Sequence, residues 1–143
     1  MIGIKFSEAK GMFFDRPAVV SATDRAQRKV LSKFGAFVRR TARSSIRKRK
    51  AVSQAGQPPS SHTGLLKRTI FFLYSPNSRS VIIGPTLLGK GTDAPRLLEH
   101  GDTVIRRRRK RRVRMQYRPR PFMGPAFEKE QHQLPALWRN SVK

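Results

Sequence analysis

Hydrophobic positions that recur every three or four residues mark one long helix near the start of the chain. They are Val19, Ala22, Ala26, Val30, Phe34, Phe37 or Val38, and Thr41 or Ala42. This spacing lines one face of an α-helix, and most of the intervening arginines and lysines fall off that face. Arg16-Pro17 after Asp15 fits a helix start, because proline is tolerated in the first turn. The pattern therefore predicts a helix from about Asp15 to Ile46.

Shorter patterns follow this helix and predict loops and a hairpin. Residues 50–63 are rich in Pro, Gly and Ser and predict a loop. Thr69–Tyr74 and Ser80–Gly84 are rich in aromatic and β-branched residues, and turn residues separate them, which is typical of a β-hairpin. A second loop is predicted at 85–94, and the alternation in Ile2–Phe6 indicates a short strand.

The C-terminal part predicts two helices around a basic segment. Pro95–His100 is a short helix that Gly101 stops. Residues 104–118 form a basic strand or loop, with Val113, Met115 and Tyr117 on one face if it is a strand. Pro125–Trp138 is a C-terminal helix, bent or divided near Pro135.

Together these elements predict an α+β fold in a single domain that spans residues 1–143. One long N-terminal helix packs on a small antiparallel β-sheet, and a C-terminal helix completes the domain. A chain of 143 residues is about one domain long. Among the aromatic residues, a stacking platform for bases is the alternative to core packing, and their spacing favours the core: Phe71, Phe72, Tyr74, Phe122, Phe127 and Trp138.

Charge narrows the possible partners. The net charge is +24, from 32 basic and 8 acidic residues, so the protein is expected to act against nucleic acid, an acidic protein surface or an anionic membrane. No apolar stretch approaches the roughly 18–20 residues that span a bilayer, and no signal-peptide core is present, so no membrane partner is expected. The lack of cysteine excludes disulfides and thiolate metal sites.

The basic charge is concentrated in one run. Its members are Arg106, Arg107, Arg108, Arg109, Lys110, Arg111, Arg112 and Arg114. Unpaired charges are too costly to bury, so the run must face water, phosphates or an acidic partner. It can neutralise about four to six phosphates. No zinc finger, RNA-recognition strand pair or basic zipper is present, so nucleic-acid binding would be independent of sequence. Docking on an acidic neighbour explains the run equally well.

Candidate catalytic chemistry is weak. Glu99, His100 and Asp102 are the densest polar cluster, yet neighbouring side chains on a helix diverge by about 100°. Hydrolytic and metal sites need groups that converge, so the polar end of a short helix is the favoured interpretation. Ser61-His62 lacks a nucleophile elbow, and no glycine-rich phosphate loop is present. We expect no enzyme, no metal and no cofactor; a small enzyme built on this cluster is the least favoured hypothesis.

Several short motifs occur in a recognisable order. They are Gly56-Gln57-Pro58-Pro59, Ser61–Arg68, Val81–Pro85, Ala94–Gly101 and Tyr117–Phe127. Over about residues 20–140 this series resembles the tail-component family of tailed bacteriophages, also described as neck, head–tail joining or tail-completion proteins. The residues that match the family pattern are Thr63, Gly64, Leu65, Gly84, Leu98, Glu99, Gly101, Arg120, Pro121, Phe122 and Pro125. Ala94-Pro95 departs from it, since the family usually has a tyrosine there, and the arginine run is unusually dense.

The resemblance implies a structural role at the head–tail junction of a virion. The chain would form a homo-oligomeric ring around the DNA channel after assembly in the host cytoplasm. Its neighbours would be a portal-side adaptor or head-closure protein and a tail terminator or tail tube, with possible nonspecific contact to genomic DNA. Few acids occur on this chain, so the acidic surface facing the arginine run would belong to another protein. The alternative hypothesis is a sequence-nonspecific nucleic-acid-binding protein that acts through the same run.

Overall fold

A computed structural model of the chain describes residues 16–86, 93–108, 111–139 and 141–142. Its elements are α1 (Arg16–Ser45), α2 (Leu65–Arg68), β1 (Ile70–Ser75), β2 (Ser80–Pro85), α3 (Ala94–His100), β3 (Asp102–Arg108), β4 (Arg111–Tyr117), α4 (Met123–Gln131) and α5 (Leu134–Trp138). The predicted α+β fold class is confirmed. The predicted strand at Ile2–Phe6, and residues 87–92 of the second predicted loop, lie outside the described residues.

The long helix α1 follows the predicted hydrophobic stripe, except at its first turns. The buried residues are Ala26, Val30, Phe34, Gly35, Val38 and Ala42. Val19 was expected on the buried face, but 46% of it is exposed. The reason is length: α1 meets the turn between β1 and β2 only at Asp24 and Gln27, which contact Arg79. The preceding turns of α1 therefore extend past this hairpin.

The hairpin β1–β2 packs closely against α1. The strands are antiparallel in the register Ile70↔Pro85 to Ser75↔Ser80, one residue longer at each C-terminal end than predicted. A Cβ atom on Gly35 of α1 would lie 2.8 Å from the Val81 side chain and 3.0 Å from Phe72. Glycine at this position therefore permits the short distance between helix and sheet.

The buried core joins α1, α2, β1 and α4. It consists of Phe34, Val38, Ala42, Ile46, Leu66, Ile70, Phe122 and Ala126. The prediction that the aromatic residues pack in the core is correct for Phe122, which is 1% exposed. It is wrong for Phe71, Phe127 and Trp138, which are 50%, 43% and 40% exposed. Phe71 is exposed because it lies on the outer face of a sheet that only α1 covers, on the other side.

The C-terminal helix is divided as predicted, and its first part begins two residues earlier. The chain leaves α4 at His132 and enters α5 with Pro135 in the first turn. The Glu130 carboxylate, 5% exposed, accepts hydrogen bonds from Thr41 Oγ1 of α1 at 2.5 Å and from Gln133 Nε2 at 2.6 Å. These bonds attach the division between α4 and α5 to α1.

The basic segment forms a second hairpin, which the sequence did not specify. β3 and β4 are antiparallel in the register Asp102↔Tyr117 to Arg108↔Arg111. The described strands thus form two separate two-stranded sheets rather than the one small sheet that was predicted. Successive residues of a strand point to opposite faces, so Val113, Met115 and Tyr117 share a face as expected.

Candidate functional site

The hairpin of β3 and β4, Asp102–Tyr117, is the candidate site, and we call it the basic arm. Arg106 lies opposite Val113, and the backbones of Arg107 and Arg108 pair with those of Arg112 and Arg111. Like charges directly opposite each other destabilise an antiparallel pair. The arm therefore concentrates cations at a cost to its own stability. Arg109 and Lys110 lie outside the described residues.

Both faces of the basic arm are open to solvent. Ile105 is 66% exposed on one face, and Val113 and Met115 are 41% and 42% exposed on the other. Arg107, Arg112 and Arg114 alternate with Arg106 and Arg111 between the two faces, and all of these arginines are exposed. Seven residues in each strand give a ribbon about 20 Å long. The arm can thus contact a partner with either face.

The arginines of the arm have no carboxylate partner in the described part of the chain. Ion pairs there involve only two basic residues, Arg79 with Asp24 and Arg96 with Asp93 and Asp102. A hydrogen bond from Arg96 Nε to Asp93, 2.6 Å long, together with the charge of Asp93, raises the pKa of Arg96. The acids near the arm are thus engaged at its base and leave the arginines unneutralised.

Gly101 fixes the base of the arm. Its N–H donates to the Leu97 carbonyl at 3.0 Å and ends α3. Its φ of 71° is in the left-handed region, and a Cβ atom would lie 2.8 Å from the Tyr117 carbonyl oxygen and 2.9 Å from Pro119 Cδ. Only glycine allows α3, β3 and the end of β4 to meet this closely.

Glu99 caps a helix from a distance. Its Oε2 accepts hydrogen bonds from the N–H groups of Phe122 at 2.9 Å and Met123 at 3.0 Å, and its Oε1 accepts one from Gly124 at 2.7 Å. The next residue, Pro125, has no N–H. All unpaired donors in the first turn of α4 are therefore accounted for, and the carboxylate also lies at the positive end of the helix dipole.

The segment between the arm and α4 joins three parts of the fold. The Arg120 N–H donates to the Leu98 carbonyl at 2.6 Å, and Arg120 Nε donates to the Ser53 carbonyl at 2.9 Å. The Pro119 carbonyl accepts from the Gly56 N–H at 2.9 Å. We call this contact region, formed by Leu98–Gly101 and Pro119–Pro125, the arm joint.

The structure brings many of the motif residues together in the arm joint, and leaves others apart. Leu98, Glu99, Gly101, Arg120, Pro121, Phe122 and Pro125 lie in or beside it. Thr63, Gly64 and Leu65 instead start α2: Thr63 Oγ1 accepts from the Leu65 N–H at 3.3 Å, and Gly64 has a φ of 76°. Gly84 lies in β2, and a Cβ atom there would meet nothing within 4 Å.

The polar cluster considered for catalysis does not converge. Glu99 is engaged as the cap of α4, and His100 is exposed. Asp102 lies 3.5 Å from Arg96 and accepts from the Thr103 N–H at 2.6 Å. Within the described ranges, no three His, Cys, Asp or Glu residues are grouped as metal ligands. No helix in the same ranges is long and apolar enough to cross a membrane.

Sequence reasoning found the cations of the arm but missed the two residues that hold its joint. The backbone groups that bond to the side chains of Glu99 and Arg120 lie 23 to 67 residues away along the chain. The only available signal was the Phe122–Pro125 helix start, which has no capping side chain of its own. Comparison of the chain with protein-family models, with curated proteins and with solved structures gives no match.

Proposed function

We propose that the chain is a non-enzymatic structural protein of a tailed-phage virion, which acts at the junction of head and tail. The observation that carries the proposal is the arm joint. The motif residues on which the family resemblance depends are structural there, and together they hold a solvent-exposed basic arm on a small helical body. Such an arrangement is suited to assembly on a partner, since it builds no convergent catalytic group.

The arm would dock on an acidic surface of a neighbouring protein. Among the described residues its arginines have no carboxylate partner, and the whole chain has only 8 acidic residues. Copies in a closed ring contact each other head to tail, which leaves the same arm on every copy free to reach the next layer. An arm about 20 Å long spans the distance between adjacent layers without unfolding the body.

Electron microscopy of a phage lysate tests the proposal directly. A stop codon early in this gene is expected to give separate DNA-filled heads and free tails. Complete, normal particles would overturn the proposal. Complementation then tests the arm: a variant with Arg107, Arg112 and Arg114 changed to Gln should fail to join heads to tails. A control with Arg16, Arg28 and Lys29 changed to Gln, which removes three cations elsewhere, should restore joining.

Sequence-independent binding of nucleic acid is the second candidate function. The observation that favours it is the shape of the arm, because the major groove of duplex DNA admits a two-stranded β-ribbon and the arm carries arginines on both faces. In that case the purified protein should bind duplex DNA without its virion neighbours. The Arg107, Arg112 and Arg114 variant should then lower the slope of log K against log salt by about 3, at about 0.9 for each lost phosphate contact.

A further inference from the structure

A second basic surface lies on α1, apart from the arm. A groove of about 480 Å³ is lined by Ala36, Phe37, Arg39, Arg40, Arg43, Ser44 and Lys67. Its α1 residues lie largely on the side of the helix away from Phe34, Val38 and Ala42, which face the core. No carboxylate lines the groove. It is therefore a concave surface of uniformly positive charge.

The groove continues beyond the end of α1. A neighbouring cavity of about 340 Å³ shares Ser44 with it and is lined by Ser45, Arg47, Arg49, Gln57 and Pro58. This second cavity also has no carboxylate in its lining. From Arg40 to Arg47 the helical rise covers about 10 Å, so the cations form a row rather than a single cluster. We call the two cavities together the α1 groove.

Aromatic rings and backbone groups hold several of these cations in place. The Arg40 guanidinium lies 5.2 Å from the centre of the Phe37 ring, and Lys33 Nζ lies 5.9 Å from it. Arg39 donates from Nε to the Ile70 carbonyl at 2.8 Å, and Arg49 donates to Ser60 Oγ at 2.8 Å. Ordered cations lose less conformational entropy when a ligand binds.

We propose that the α1 groove binds the phosphate backbone of a nucleic acid, as a site separate from the basic arm. A nucleic-acid strand carries a regular line of charges, which a row of cations in an extended groove fits better than it fits one compact anion. Most of the cations are arginines, whose planar guanidinium groups match phosphate oxygens in pairs. This inference depends neither on the head–tail assignment nor on the arm.

The test measures DNA affinity with the full-length protein and a charge-matched control. In the groove variant Arg40, Arg43 and Lys67 are changed to Gln; Arg39 is kept because it bonds to the backbone of β1. In the control Arg16, Arg28 and Lys29, also cations of α1, are changed to Gln. Binding of a labelled duplex of about 30 base pairs is followed by fluorescence anisotropy over a series of NaCl concentrations.

We expect the groove variant to lower the slope of log K against log salt by about 2 to 3, and the affinity near 0.1 M salt by on the order of 100-fold. The control should lower the slope by less than about 1. The groove effect should persist when the arm is shortened, because the two sites are separate. Equal effects of the two variants, or complete loss of DNA binding on shortening the arm alone, would overturn the inference.

Binding of poly-glutamate and thermal melting test whether an acidic protein or a loss of folding accounts for the result. If the groove variant binds DNA like the wild type but loses affinity for poly-glutamate, the surface fits an acidic protein and the nucleic-acid inference is wrong. Thermal melting checks that the groove variant is folded. If it is not, the single change Arg40→Gln, at an exposed position, should lower the slope by about 1, and an unchanged slope would contradict the inference.

Discussion

The Glu99 carboxylate performs for α4 the task that a capping side chain usually performs from within its own helix. It accepts three N–H groups at distances from 2.7 to 3.0 Å. The change Glu99→Ala leaves these donors without their partner, so we expect it to lower the free energy of unfolding by about 2 kcal/mol. Urea denaturation measures this loss.

Glu128→Ala is the matched control for the cap, because Glu128 is an exposed carboxylate of α4 itself. Its effect should stay within about 0.5 kcal/mol. Glu99→Gln should lie between the two, since an amide oxygen accepts hydrogen bonds without the negative charge. A Glu99→Ala protein as stable as the wild type would show that the cap contributes nothing to stability.

Gly101 combines a left-handed backbone with close packing, and the two effects can be separated. We expect Gly101→Ala to lower the free energy of unfolding by about 3 kcal/mol, because a Cβ atom would lie 2.8 Å from the backbone of Tyr117. Gly56 has a similar φ of 80° but open space around it, so Gly56→Ala should cost only about 1 kcal/mol. Equal losses would mean that the packing at the arm joint is looser than the structure has it.

At the level of single residues, the sequence indicates which side chains are exposed cations, and it does not indicate which side chains act over long distances. The arginines of the run could be predicted because charge alone forces them outward. The roles of Glu99 and Arg120 could not, since each depends on backbone groups that only the finished fold brings near. The same holds for Gly35, whose small size matters only where Val81 approaches it.

At the level of elements, local patterns were sufficient where the two faces of an element differ. The helix α1 and the hairpin β1–β2 alternate between apolar and polar faces, and both were predicted. The basic arm has no such difference between its faces, because arginines lie on both, so the sequence left strand and loop open. The first turns of α1 were misjudged because a stripe of apolar residues does not reveal where the surface that covers it ends.

The basic arm should be dispensable for the stability of the body. Its strands pair with each other and meet the rest of the described chain mainly at Gly101 and Tyr117. We expect that replacing residues 105–114 by an Asn-Gly turn, at the register pair Val104–Met115, changes the free energy of unfolding by less than about 1 kcal/mol. Urea denaturation checks this. A loss of several kcal/mol would show that the arm is a part of the core structure.

At the level of the whole molecule, charge is the dominant feature that the fold leaves uncompensated. The net charge is +24, and ion pairs in the described residues involve only Arg79 and Arg96. The basic arm and the α1 groove are two positive surfaces on one small body. A protein of this kind gains stability when something negative covers those surfaces, whether that is a neighbouring protein or a nucleic acid.

This repulsion predicts that the isolated protein becomes more stable as salt is added. Folding brings the cations closer together, and raising the ionic strength from 0.01 to 0.1 M shortens the screening length from about 30 to about 10 Å. We expect the melting temperature in NaCl to rise by about 5 °C over this range. The variant with the shortened arm lacks eight of the positive charges, so its melting temperature should rise less. If both proteins melt independently of salt, self-repulsion does not limit the fold, and the need for an anionic partner loses its physical basis.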